Sequence, residues 1–329
     1  MGFNWLMLAH FKNTKERNNC YKHLANVVLG PGVTVYAFLF GPNVNSPIQI
    51  RKINKDGQIT LGNLPYQPPT DDNKYTRYIP TLRYLVRRLK RNNIKIHGIN
   101  YYGHSSGLEL GTYYQNRIFC TTLNFVDVVV EPLQPRVVIF DSCYMGLLSA
   151  LYELARVKSI FYVMASPTYH PSYSILETES FGKIGVESKE KSAIAYHLHK
   201  VSCEFQMITR PSYRCFLVFN LRKIPRFVEH DLKAAIRNER LKFDKSSVVV
   251  QEDYMYDLYR SAKDQSFKNK IKAISYHACG THKCKVVRGL SIDIRLPELH
   301  VPIYKKMRWY NVMKEVMEFP STPRSHGHH

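Results

Sequence analysis

The stretch Val137-Val138-Ile139-Phe140-Asp141-Ser142-Cys143-Tyr144-Met145-Gly146 decides how this chain is read. Its first four residues are apolar without alternation, the pattern of a strand buried on both faces in the middle of a parallel sheet. Polar residues follow at once. Leu147, Leu148, Leu151, Leu154 and Ala155 then recur at helical spacing, so a helix is expected to begin close to Ser142 and to fray at Arg156 and Lys158.

The same alternation of strand and helix extends outward in both directions. Trp5 to Phe11 reads as a first strand. A helical stretch with Tyr21, Leu24 and Val28 follows and stops at Gly30-Pro31-Gly32, and Val33 to Phe40 is a second strand. Residues 41 to 76 are polar, with a hairpin expected at Lys55-Asp56-Gly57-Gln58 between Ile50 and Leu61. From Pro80 to Asn92 the apolar positions Leu82, Leu85, Val86 and Leu89 keep helical spacing, while Arg83, Arg87, Arg88, Lys90 and Arg91 fill the other face. Ile94 to Tyr102 is a third strand and Phe161 to Ala165 a fifth, counting Val137 to Phe140 as the fourth. Leu123 to Val130 has strand-like composition, but a parallel pairing of its flanking strands requires a crossover, so a helix is expected there. Beyond residue 190 the alternation loosens. Cys215 to Asn220 reads as a strand, Ile224 to Asn238 and Glu252 to Lys263 as helices, and residues 265 to 300 as a mixed basic segment. The expectation is an α/β protein with a mostly parallel central sheet built mainly from 1–190, and a C-terminal α+β region over 191–329 that completes the sheet and carries a basic mixed extension.

Composition bounds the function. The chain has 329 residues, of which 44% are apolar and 22% charged, enough to build a core without staples. Lys and Arg outnumber Asp and Glu by 47 to 26, a net charge of +21 that favours nucleic acid or another acidic partner. Seven cysteines without framework spacing imply reduced thiols, no disulfides and an intracellular setting. No apolar run reaches the ~18 residues of a membrane span. The opening MGFNWLMLAHFKNTKER has its apolar run before its basic residues, unlike a secretory signal, so an intracellular or virion-associated protein that does not use Sec export is expected.

In an open parallel sheet the chemistry gathers outside the carboxyl ends of the strands. The third strand ends in Tyr101-Tyr102-Gly103-His104-Ser105-Ser106-Gly107 and the fourth in Asp141-Ser142-Cys143. Adjacent strand ends lie about 4.8 Å apart, so His104 is a candidate base and Cys143 a candidate nucleophile. A position in the first turn of the following helix is expected to help ionise the thiol. Backbone N–H groups at Ser105 and Cys143 are candidate oxyanion donors. Gly103 and Gly107 would permit close backbone approach.

This pattern of apolar strand, Gly-His, a long connection, apolar strand and Asp-x-Cys resembles the clostripain family of the caspase-fold cysteine peptidases. The likeness extends to the Trp5 strand, the Phe140-to-Met145 block, Ala165-Ser166, Leu217 to Ile236 and Tyr254 to Ala262. It implies a caspase-like αβα sandwich, a thiol peptidase with a Cys143–His104 dyad, no cofactor (with calcium modulation as in some relatives), and a polypeptide substrate. It also implies cleavage after Arg or Lys, with Asp141 in the primary pocket, since a carboxylate there selects a guanidinium or ammonium. Asp141 also reads as a helix cap or a buried strand-end carboxylate. Glu177 and Glu179 are further candidates for a basic-residue pocket. Self-processing in relatives makes Arg117 the candidate nick site. Ser105 departs from the family, where glycine is common after the histidine.

His277, Cys279, His282 and Cys284 are four potential zinc ligands in a run too compact for an ordinary structural site, so no metal is expected. A catalytically inert caspase-fold scaffold that binds nucleic acid through its basic tracts is the competing reading.

Overall fold

The computed structural model describes residues 2–41, 46–69, 73–112, 117–168, 174–185, 191–209, 216–243, 255–276, 290–293 and 304–317. Strand β1 (Phe3–His10) leads into α1 (Thr14–Asn26), then β2 (Val33–Phe40), β3 (Ile48–Asn54), β4 (Gly57–Leu64) and α2 (Ile79–Arg91). Strand β5 (Gly98–Tyr102) is followed by a hairpin of β6 (Glu109–Thr112) and β7 (Arg117–Thr121), and by a helical stretch over 122–133, α3. Next come β8 (Val137–Asp141), α4 (Leu148–Leu154), β9 (Tyr162–Ala165), α5 (Glu179–Lys183) and α6 (Lys191–Thr209). Beyond lie β10 (Leu217–Asn220), helical residues 221–237 (α7), β11 (Met255–Asp257), α8 (Leu258–Ser261), α9 (Gln265–Lys272), β12 (Ser275–Tyr276), β13 (Ser291–Asp293) and α10 (Arg308–Met317).

The main sheet has the order β12-β10-β9-β8-β5-β1-β2-β3-β4. Its centre, β2-β1-β5-β8-β9, is parallel throughout. Antiparallel strands flank it, β10 and β12 on one side and β3 and β4 on the other. The sheet therefore runs across residue 190, with β10 and β12 drawn from the later part of the chain.

Buried on both faces, β1 shows why the fold is three-layered. Leu6 and Leu8 join one apolar cluster with Leu82, Leu85, Val126, Leu148 and Leu151, while Trp5, Met7 and Ala9 join a second with Leu24, Phe181, Ile194 and Leu198. Successive side chains of a strand point to opposite faces, so helices are needed on both sides. Here α2, α3, α4 and α7 cover one face, and α1, α5 and α6 the other.

The crossover expected over Leu123 to Val130 is helical, with a π-helical turn at Val126–Val130 where Glu131 N–H bonds to Val126 O. Pro132 follows, and its missing N–H cannot complete an ordinary helical ladder. Other expectations need correction. The third strand begins at Gly98 rather than Ile94, and α1 ends at Asn26, leaving Val28 71% exposed. Residues expected as one helix over 252–263 include strand β11 and only the short α8. Most consequentially, α4 begins at Leu148 rather than near Ser142, so residues 142–147 form an open turn.

Candidate active site

Three adjacent parallel strands, β1, β5 and β8, deliver their following loops to one edge of the sheet. Ala9 pairs with Tyr102 and Tyr102 with Asp141, so the chain leaves all three strands at the same level. The Gly103 N–H donates to Asp141 O at 3.3 Å, carrying the β5–β8 contact one residue beyond the ladder. Gly103 has φ +155°, and a Cβ there would stand 2.8 Å from His10 O, so only glycine lets the loop pass so close to β1.

His104 is pinned through its main chain. Its carbonyl accepts from Gly111 N–H at 2.7 Å and from the Tyr101 hydroxyl at 3.1 Å. Burial first, then nearby Cys120, pushes the Tyr101 phenol far up, so it stays protonated and remains a donor. The bridge between Ser105 and Leu110 is closed by the Gly111–His104 bond and by Ser106 N–H on Glu109 O at 3.0 Å. In that geometry the Ser105 N–H and C=O face away from β6.

Ser105 joins the two loops. Its hydroxyl lies 2.8 Å from Ser142 Oγ and also bonds to Cys143 O. A carbonyl only accepts, so the single Ser105 proton goes to Cys143 O and Ser142 donates to Ser105. Cys143 itself is half-buried. Its turn hangs on the end of β9, with Tyr144 N–H on Thr168 O at 2.9 Å and Gly146 N–H on Ser166 O at 2.8 Å. Tyr144 has φ +57°, left-handed backbone that costs a non-glycine residue about 1–2 kcal/mol. The strain falls directly after Cys143. The expected helix-dipole assistance to the thiol is corrected by this turn, because Cys143 precedes the short α4 instead of lying in its first turn.

A residue missed by the sequence reading completes the edge. Glu16 Oε1 lies 2.9 Å from His104 Nε2, and the histidine side chain is 37% exposed. Asn13 caps α1 by accepting Glu16 N–H at 2.9 Å, and Glu16 Oε2 accepts Lys12 N–H at 2.9 Å. Lys12 Nζ is 3.1 Å from Glu16 Oε1. Burial opposes ionisation of Glu16, but the bonds from His104 and Lys12 outweigh it and lower its pKa to about 2. The signal was present in sequence as Asn13-x-x-Glu16, a capping-box pattern, which announces a helix start but not a partner.

The acidic candidates separate. Asp141 is 2% exposed, and its Oδ2 accepts from Ser174 Oγ at 2.5 Å and Ile175 N–H at 3.2 Å. Glu177 lies 2.6 Å from His23 Nδ1. Beside them the Tyr102 phenol is pushed far up, by burial first and then by the charge of Asp141, with lesser contributions from Cys20, Glu16 and Glu177. Glu179 is not among them: it projects to solvent from α5 and pairs with Lys183. Arg117 opens β7, its backbone paired with Thr112. His277, Cys279, His282 and Cys284 lie outside the described residues. Among the described residues no three His, Cys, Asp or Glu side chains are grouped to hold a metal ion, and no helix is long and apolar enough to cross a membrane.

No family model matches the sequence, and no curated protein does. Solved structures do. A secreted C11 cysteine protease from Bacteroides thetaiotaomicron, in complex with an irreversible peptide inhibitor, superposes with a TM-score of 0.66 at 13% identity, over 95% of this chain and 99% of that one. The structure of a secreted protease from the same organism called iotapain gives 0.66 at 14%, over 95% and 99%. An inactive zymogen C11 protease from Parabacteroides distasonis gives 0.62 at 14%, over 94% and 97%. The chain therefore has the caspase-like αβα fold, in the form taken by the clostripain-type cysteine proteases. That form spans almost its whole length.

The expectation of an unexported, intracellular or virion-associated protein is corrected. Two of the matched structures are described as secreted, and Cys203 of this chain is disulfide-bonded, against the expectation of thiols all reduced. Disulfides persist in oxidising compartments. Cys20, Cys120 and Cys143 are in no disulfide.

Proposed function

We propose that the protein is a cysteine endopeptidase that cleaves after arginine or lysine, with Cys143 as nucleophile and His104 as general base. One observation carries the reading: in a chain with the clostripain-type fold, the β5 and β8 loops bearing His104 and Cys143 share one edge and are tied together through Ser105.

His104 takes the Cys143 proton, and the thiolate sulfur bonds to the substrate carbonyl carbon. The negative charge on the carbonyl oxygen is met by the main-chain N–H groups of Ser105 and Cys143. The C–N bond then breaks, and the departing amine takes its proton from His104. Water, deprotonated by the same imidazole, releases the acyl group and restores the thiol. Asp141 and Glu177 supply the negative charge of the primary pocket, at whose edge Tyr102 lies. Two acids on neighbouring segments support a basic residue at that position: Asp141 accepts from Ile175 N–H at 3.2 Å, two residues before Glu177, in a chain of net charge +21. Arg117, at the start of β7, is the candidate site of self-cleavage.

An acyloxymethyl ketone carrying lysine or arginine tests the proposal. Cys143 should be the residue modified, His104→Ala should abolish the labelling, and a glutamate-bearing probe should not react. Modification of another cysteine, or equal reaction of both probes, would refute it.

The exposed Arg83, Arg87, Arg88, Lys90 and Arg91 on α2 favour a second reading, an acidic partner held by that face. Affinity for a DNA duplex that falls steeply with salt, and falls again on charge reversal of these residues, would establish it.

A further inference from the structure

Resting on the peptidase reading, we propose that Glu16 is the positioning residue for His104: it fixes the proton of the imidazole on Nε2 and leaves Nδ1 as the base. The juxtaposition comes from topology. β1 and β5 are neighbours, and α1 starts so soon after β1 that its first turn stands over the carboxyl end of β5. His104 and Glu16, 88 residues apart in sequence, meet there at 2.9 Å.

Three features make this more than a surface ion pair. The carboxylate is anchored independently of the histidine, because Lys12 N–H and Lys12 Nζ both contact it at the head of the helix. It is ionised throughout the working pH range, with a pKa of about 2, so it is an acceptor only. Finally, the main chain of His104 is fixed by Tyr101 and Gly111, which leaves ring orientation as the remaining freedom, and Glu16 removes it. An acceptor-only group on Nε2 selects the tautomer with the proton there. When the imidazole takes the thiol proton, the carboxylate offsets the new positive charge. No covalent bond to Glu16 forms, and it keeps no proton at the end of the cycle.

The test uses the full chain with a lysyl or arginyl peptide substrate, and the corresponding ketone probe. Glu16→Gln retains an acceptor for Lys12 N–H and so preserves the helix start, while removing the charge. Its kcat should fall by about 10²-fold or more with KM within about twofold, between the ~10–100-fold lost when an outer partner of a metal-bound histidine is removed and the ~10⁴-fold lost from a serine-protease triad. Glu16→Asp should recover part of the loss. Nitrogen-15 spectra should report the proton on Nε2 of His104 in the wild type and a mixed tautomer in Glu16→Ala. Asn13→Ala separates folding from chemistry: it removes the cap but not the carboxylate, and should lower the melting temperature with less than about threefold change in kcat. Equal kcat for wild type and Glu16→Gln, with Cys143 still labelled, overturns the role of Glu16 and leaves the peptidase reading standing. Absence of labelling in the wild type overturns the peptidase reading. The ring-nitrogen spectrum then judges the Glu16–His104 contact alone, and an unchanged tautomer in Glu16→Ala overturns it.

Discussion

Helices α1 and α4 follow β1 and β8, strands separated in the sheet only by β5, yet they begin in opposite ways. α1 starts almost at the strand end, capped by Asn13, with Glu16 in its first turn. α4 starts at Leu148, has no side-chain cap and carries no acid in its first turn. Between β8 and α4 the chain spends its residues on a turn that holds Cys143 half-buried beside the left-handed Tyr144. The contrast shows where the electrostatics of this edge originate. Cys143 lies four residues before the Leu147 cap and so outside the terminal turn to which the dipole effect is confined. The charge that meets the histidine comes from α1, through the Glu16 carboxylate 2.9 Å from its Nε2.

The comparison breaks outright if the turn before α4 is not the reactive one. Cys143→Ala should lower peptide hydrolysis by about 10⁴-fold or more while leaving the thermal midpoint within a few degrees, and residual activity above one per cent would sink the assignment. Asp141 tests the acidic side of the same turn. Asp141→Asn keeps an acceptor for Ser174 and Ile175 but removes the charge, so the preference for lysyl and arginyl over neutral substrates should drop by about 10²-fold. An unchanged preference would assign Asp141 to the loop 174–177 alone.

Glu16 sharpens the α1 side through pH. Its pKa is lowered from 4.5 to about 2 on folding, so its contribution to stability is complete above 4.5 and is lost as pH falls through about 2. Denaturant titrations of wild type and Glu16→Gln should differ by about 2–3 kcal/mol at pH 7 and converge near pH 2. Curves that stay parallel across that window would contradict the contact. The smallest effect belongs to the cap: Asn13→Ala should cost about 1 kcal/mol, read as a shift of a few degrees in the melting curve. No shift would mean that α1 starts without help from Asn13.

Much of this architecture was legible in local pattern. Val137 to Phe140 is an apolar run with no polar interruption, buried on both faces, and Val33 to Phe40 is β-branched and aromatic with Thr34 as its one polar residue. The hairpin at Lys55 to Gln58 carries its own turn residues, and β3 and β4 pair on either side of it. His104 and Cys143 stood out because each follows such a run. What misled was the start of α4. The leucines from Leu147 onward mark a helix, but the polar residues before them fit a first turn as well as an open one. Only the bonds of Tyr144 and Gly146 to the segment after β9 decide between these. The β6–β7 hairpin was not foreseen, since its short strands carry too few apolar positions for a period to register. Cys203 was read as a reduced thiol because spacing alone cannot pair it.

The amino-acid sequence by itself determined the parallel core and which two strand ends bear a histidine and a cysteine, because both follow from strand-like runs of a few neighbouring residues. Tertiary structure alone decided which side chains meet at that edge. Glu16 lies in a helix-start motif that looks purely local, and it reaches His104 only because β1 and β5 pair in register. Contacts of that kind depend on strand order and on where each loop leaves the sheet, and these are set by packing both faces of the sheet at once.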